Sequence, residues 1–472
     1  MNAELCWTPA CELAGLIRRK ALSPVDAVDA VLERIERINP AVNAYVTVTA
    51  ERAREAARAA ESAVARGATL GPLHGVPYSL KDLTPTRGIR TTMGSKIFEH
   101  HVPDEDAVLV ERLRAAGAIL LGKTNTPEFG CKPFTDNRIF GATRNPWRSD
   151  RSAGGSSGGA AAAVAAGLGP LAEGSDLAGS IRQPAAWCGV VGFKPSQGRV
   201  ARYPAAAGWN AMSTNGPIAR TVADAALMFS VMTGPDPRDP LALPHTGEDW
   251  TRLAEGAQVR GLRAAWTPDL GGAAAVDRGV AAVCEAAAAR FGELGAHVEP
   301  ASPEIGHIME PFLAINATVR LASYGKYLPR WRDEMDPVLV RRLDLGLSLT
   351  AADVGRAEAE RTAYHHRLGR FFERYDLLLL PAAAVTATPL DDPMPAEIAG
   401  RPMTQHIDML LPTYAFNFSA YPAITVPCGF SEDGLPVGLQ IVAGWRQDAR
   451  VLTAAAAFEA AAPWADRRPP IG

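Results

Sequence analysis

The chain has 472 residues, 47% of them apolar and 21% charged, with a formal net charge of -3 and a pI of about 6.3. That length exceeds one simple core and fits one large domain or a few closely joined ones. The near-neutral balance offers no basic surface for nucleic acid or an anionic membrane, and six scattered cysteines without a CxxC spacing argue for reduced thiols in a cytoplasmic protein and against a zinc site.

The first residues, MNAELCWTPACELAGLIRRK, lack a basic start followed by a long apolar run, so no signal peptide is expected. LSPVDAVDAVLERIERINP (22–40) reads as a helix capped by Ser23, with Pro24 at its first position and Pro40 at its end. AERAREAARAAESAVARG (50–67) reads as a second helix closed by Gly67, and AYVTVT (44–49) between them as a strand or an extended link. LHGVPYSLKDL (73–83) is an extended segment entering a loop. DEDAVLVERLRAAGAILLGKTN (104–125) is helix, glycine turn and strand, and SSGGAAAAVAAG is a serine-capped helix leading to the strand GPLAEG (169–174). The strand GVVGFKPS (189–196) and the helix TVADAALMFSVMTG (221–234), with Thr221 and Asp224 as its capping pair, continue the alternation. Residues 235–375 show longer helical patterns and more charge, and are expected to be helical insertions around a pocket. Strands return at 376–382, 421–430 and 434–444 before a last helix from 449. Alternation at this spacing predicts an α/β fold built on a central sheet. AAAAVAAGLGPLA (160–172) is too short and too rich in Ala and Gly to cross a bilayer.

RSAGGSSGGA (151–160) spends four positions on glycine, the residue that loses most freedom on folding. A linker, a phosphate cradle and a place where backbone and hydroxyl meet a reacting atom are the three readings. The glycines run straight into a helix, unlike a linker, and neither GxxxxGK[ST] nor GxGxxG is present. A second stretch, EGSDLAGSIRQPAAWCG (173–189), presents Ser180 after small residues. Successive backbone N–H groups there can converge on an oxygen that gains negative charge. A serine nucleophile needs a base. None of the nine histidines lies in a GxSxG-like context, and HExxH is absent. Lys81, Lys123 and Lys194 are the lysines beside loop-rich apolar segments, and a lysine acts as a base only if burial lowers its pKa. Lys81 has apolar neighbours on both sides and would point inward while Asp82 faces the other way. On spacing alone, a snorkelling surface lysine stays open.

GVPYSLKDL, TNTPEFG, GGSSGGAAAAVAAG, GSDLAGSIRQPAAWCGVVGFKPS and GPIARTVADAALMFSVMTGPDPRDP, with YPAITVPCGF and GLPVGLQIVAG near the end, together resemble the amidase signature family. The resemblance implies an α/β fold with a central mixed twisted β-sheet flanked by helices on both sides. It implies a Ser–cis-Ser–Lys triad of Ser180 as nucleophile, Ser156 as proton relay after a cis peptide, and Lys81 as base. The oxyanion hole would use the backbone at Leu177, Ala178, Gly179 and Ser180, with Ala178 standing where the family commonly has glycine. Ser157, Asp176 and Arg182 would support the site, and Cys131, Tyr203, Trp209 and Asn316 would contact substrate. The implied partner is a small-molecule amide or carbamate, with no metal and no cofactor, and the chain is a candidate homodimer. GKTNTPEFG, GATRNPW and APWADRRP are most similar to stand-alone bacterial amidases acting on aryl, cyclic-oligoamide or urethane substrates. A carbamate or ester hydrolase and the glutaminase subunit of a tRNA-dependent amidotransferase are the alternatives. The expected organisation is a helical segment (1–70), a catalytic core (71–234), pocket-shaping helical insertions (235–375) and the end of the core (376–472), as one catalytic domain.

Overall fold

The computed structural model describes residues 3–471. Eleven strands form one sheet: β1 Tyr45–Val48, β2 Pro77–Lys81, β3 Ile119–Thr124, β4 Leu171–Asp176, β5 Val191–Lys194, β6 Thr214–Ala219, β7 Arg263–Trp266, β8 His297–Pro300, β9 Leu377–Pro381, β10 Ala423–Phe430 and β11 Pro436–Ala443. Their order is β1-β3-β2-β4-β6-β5-β10-β11-β9-β7-β8. β2 runs parallel to both β3 and β4, β7 runs parallel to β8 and β9, and the remaining neighbours are antiparallel. The sheet is therefore mixed, and helices with separate apolar clusters cover both faces. β2, β9 and β11 are buried at every position, as strands covered on both faces must be.

Local chemistry sets several helix starts. Ser23 Oγ accepts the Val25 N–H at 3.0 Å, and Thr221 Oγ1 accepts the Asp224 N–H at 3.1 Å. The first of these helices, Pro24–Val42, continues through Pro40 and stops at Asn43, whose φ of 53° is left-handed. A proline near a C-terminus costs one backbone bond, and the left-handed residue ends the helix instead. The helix Gly158–Ala165 is buried on every side, which its alanine run permits because no polar group needs water. Its expected serine cap is not made: Ser157 stands at the N-cap without a capping bond, because its hydroxyl is turned toward Lys81.

Residues 235–375 depart from the expected helical insertion. They supply β7 and β8 to one edge of the main sheet, and the helix Arg278–Glu293 packs on β9, β10 and β11. The N-terminal segment adds β1, within the AYVTVT stretch read as a strand or an extended link, to the opposite edge. No helix among the described residues is long and apolar enough to cross a membrane.

The parallel pair β2 and β4 places two carboxyl ends side by side, with Tyr78 opposite Leu171 and Ser79 opposite Ala172. In open α/β sheets, ligands bind beyond such ends. Lys81 ends β2, Asp176 ends β4, and the helices starting at Gly158 and Arg182 begin nearby.

Candidate active site

Lys81 is fully buried. Burial pulls its pKa down to about 7, against the opposing charges of Glu173 and Asp176. Its Nζ lies 2.7 Å from Ser156 Oγ, 2.9 Å from Ser157 Oγ and 3.1 Å from Ser175 Oγ. A neutral amine has two N–H donors and one lone pair, so three hydroxyls saturate it when two accept and one donates. Asp82 is buried as well, on the far side of the chain, where Thr92 donates to it through N–H and hydroxyl.

Ser156 follows a cis Gly155–Ser156 peptide. The neighbouring glycine reflects close packing: a Cβ on Gly155 would lie 2.8 Å from the Phe134 nitrogen. The Ser157 N–H donates to the Ser180 carbonyl at 3.0 Å, which draws the two serine segments together. Ser180 itself is partly exposed at the end of the loop that follows β4.

That loop hangs on a buried ion pair. Arg182 Nε and Nη2 meet Asp176 Oδ2 and Oδ1 at 3.0 and 2.9 Å, both side chains being fully buried. Burial would raise the Asp176 pKa, but the Arg182 charge overrides it and holds the carboxyl well below its usual range. Arg182 also donates to the Thr413 carbonyl at 2.9 Å and to Gln440 Oε1 at 2.6 Å. Gly179 has φ of 113°, and a Cβ there would collide with the Thr413 hydroxyl. Its N–H, expected in the oxyanion hole, is committed to Asp176 Oδ1 at 2.8 Å. The N–H groups of Leu177, Ala178 and Ser180 have no acceptor among the described residues.

Ser180 lies where two cavities adjoin. One, of about 290 Å³, has an aromatic wall of Phe98, Phe129, Tyr324 and Tyr327, and also exposes Ser156 and Ser175. Phe129 and Tyr324 stack with centroids 4.1 Å apart. The other, of about 240 Å³, is lined by Cys131, Ala178, Phe312, Asn316 and Arg342. Gly130, Leu177, Ser180 and Arg320 border both.

The expected contacts divide accordingly. Cys131 and Asn316 line the second cavity and Tyr203 the first. Trp209 lines neither and is 78% exposed. A turn closed by the Asn210 N–H to the Ala207 carbonyl puts its ring on the outside, so Ala207 and Asn210 face the cavity in its place. Two site residues escaped the sequence reading. Ser175 could have been found from strand alternation, since it lies within GSDLAGS on β4. Arg320 carried no signal: it reaches the site from the helix Met309–Tyr324 and donates to the Phe129 and Gly130 carbonyls at 3.3 and 3.2 Å.

Known proteins resemble this chain along nearly its whole length. The family model described as Amidase matches residues 26–452. An acylamidase of Rhodococcus erythropolis is 45% identical over 470 residues, covering 99% of this chain and 98% of its own. A glutamyl-tRNA(Gln) amidotransferase subunit of Moorella thermoacetica is 41% identical over 493 residues, covering 99% of each. A bacterial aryl acylamidase of the amidase signature family superposes with a TM-score of 0.92 at 34% identity and 97% coverage of both chains. The structure of 6-aminohexanoate cyclic dimer hydrolase complexed with substrate gives 0.90 at 33% identity, covering 98% of this chain and 99% of that one.

Proposed function

This chain belongs to the amidase family and is an amidohydrolase, and from that premise we propose that it cleaves a small-molecule amide through an acyl-enzyme on Ser180, with Ser156 as relay and Lys81 as base. The supporting observation is a lysine amine sealed from water and 2.7 Å from the Ser156 hydroxyl. Ser180 Oγ attacks the carbonyl carbon while its proton passes to Ser156 Oγ, and the Ser156 proton passes to Lys81 Nζ. The oxygen that becomes negative is met by the free N–H groups of Leu177, Ala178 and Ser180. The C–N bond breaks as the proton returns from Lys81 through Ser156 to the amine. Water then attacks the ester by the same route reversed, releasing the acid and restoring Ser180.

The aromatic wall beside Ser156 favours an aryl group on the substrate, in keeping with the aryl acylamidase named among the similar structures. The 41% identity to an amidotransferase subunit favours a second reading, glutamine hydrolysis. Aryl carbamates and esters fit the same acyl-enzyme chemistry. Steady-state kinetics of the purified chain distinguish these: kcat/KM for an anilide is expected to exceed that for glutamine at least ~100-fold, and a ratio below one would support the glutaminase. Alanine at Lys81, Ser156 or Ser180 is expected to lower kcat/KM for the anilide by ~10³-fold or more with the fold retained. Wild-type turnover by any of the three would remove that residue from the reaction.

A further inference from the structure

We propose that Glu173 is a positioning residue of amide hydrolysis, whose buried carboxylate both anchors the strand end bearing Lys81 and supplies the negative charge against which that lysine's proton is held. The inference rests on the reading of Lys81 as the base.

Glu173 lies on β4, two residues before Ser175 and therefore on the same face. It is fully buried. Its Oε2 accepts the Lys81 N–H at 3.1 Å and the Thr84 hydroxyl at 2.9 Å, and its Oε1 accepts Asn215 Nδ2 at 2.6 Å. All three donors are neutral, and Glu173 forms no ion pair among the described residues. Its charge is therefore not cancelled by a contact, and it acts on Lys81 and Lys123, both fully buried.

The other charges facing these lysines are differently committed. Asp176 is held at two points by Arg182. Arg320, from the helix wall, opposes protonation of Lys81. Lys123 has Asp82 as its larger counter-charge and Asp106 as a smaller one, and it donates to the Thr84 carbonyl and to Thr86 Oγ1. For Lys81, Glu173 is thus the leading force against burial. Without it, burial would act with less opposition, the amine would shed its proton at lower pH, and it would be a weaker base. Asn215 borders the aromatic cavity and ties Glu173 to the pocket wall.

The test is the pH dependence of anilide kcat/KM for the full chain. The wild type is expected to lose activity on the acid side near pH 7. Glu173→Gln keeps the volume and one of the two acceptor oxygens while removing the charge, and is expected to move that limb down by about one pH unit, with a plateau about 3–10-fold lower. Glu173→Asp, which keeps the charge, is expected to leave the limb within about 0.3 units of wild type. Should Glu173→Gln not fold, Glu173→Met removes the same charge without needing a partner and carries the same expected displacement. A purely structural carboxylate would lower the melting temperature but leave the limb in place, and an unmoved limb in the charge-removing variant overturns the inference. A wild-type profile with no limb between about pH 5 and about pH 9 would instead overturn the reading of Lys81.

Discussion

A lysine amine serves as a base only where water cannot hold its proton, and at position 81 burial does this while three hydroxyls satisfy the nitrogen. The three contacts are not equivalent in the proposed proton path. In that path Ser156 would carry the proton between the amine and Ser180, whereas Ser175 would only hold the amine, 3.1 Å from its hydroxyl. Ser175→Ala is therefore expected to lower kcat about 10-fold, well short of the Ser156→Ala loss, with KM nearly unchanged; equal losses in stopped assays of the two variants would count against a relay role for Ser156. Ser156 and Ser180 stood out because each lies in a segment of small residues, whereas Lys81, among apolar neighbours, was singled out as the base through the resemblance to the amidase signature family. Trp209 was misread because a large aromatic in a loop gives no sign of which way its turn faces, and it faces solvent. Arg320 was invisible because it reaches the site from a helix 140 positions after Ser180, a placement fixed only by tertiary packing.

The loop between β4 and the helix Arg182–Cys188 owes its shape to a buried salt bridge, and such a pair is costly to break from one side. Arg182→Met leaves Asp176 charged and buried, which is expected to destabilise the fold by about 3–5 kcal/mol and, by loosening the loop that ends in Ser180, to reduce kcat at least ~100-fold. Chemical denaturation with parallel kinetics checks both; retained kcat would show that the loop holds its shape unaided. The strands carrying this loop were readable as short apolar runs between turn signals. β7 and β8 were not, because each has only four residues and β8 lies at the sheet edge with little burial. Edge strands lack the apolar run that marks a central one, so the charged helical pattern around them dominated residues 235–375.

At the scale of the whole molecule, a buried lysine is a stability cost. The unfolded chain binds a proton at Lys81 up to about pH 10.4, whereas the folded protein releases it near 7. Between these values the unfolded state holds more protons, so stability rises with pH; on acidification the same contribution is lost, and below about pH 7 the full cost is present. Lys81→Met removes this dependence along with the activity. Calorimetry is expected to show the variant gaining on the wild type by about 2 kcal/mol more at pH 6.5 than at pH 9; a difference that does not vary with pH would mean that the lysine keeps its ordinary pKa. The general architecture, strands alternating with helices around one sheet, was legible from periodicity, but the joining of one sheet edge by residues 235–375, expected to be helical insertions, was not.

The most direct measurement is to quench the enzyme during turnover of an activated aryl ester or anilide and locate the acyl group by peptide mass spectrometry. The acyl group is expected on Ser180 in the wild type, absent in Ser180→Ala, and formed far more slowly in Lys81→Ala. Acylation of any other residue, or undiminished turnover by Ser180→Ala, would contradict the account.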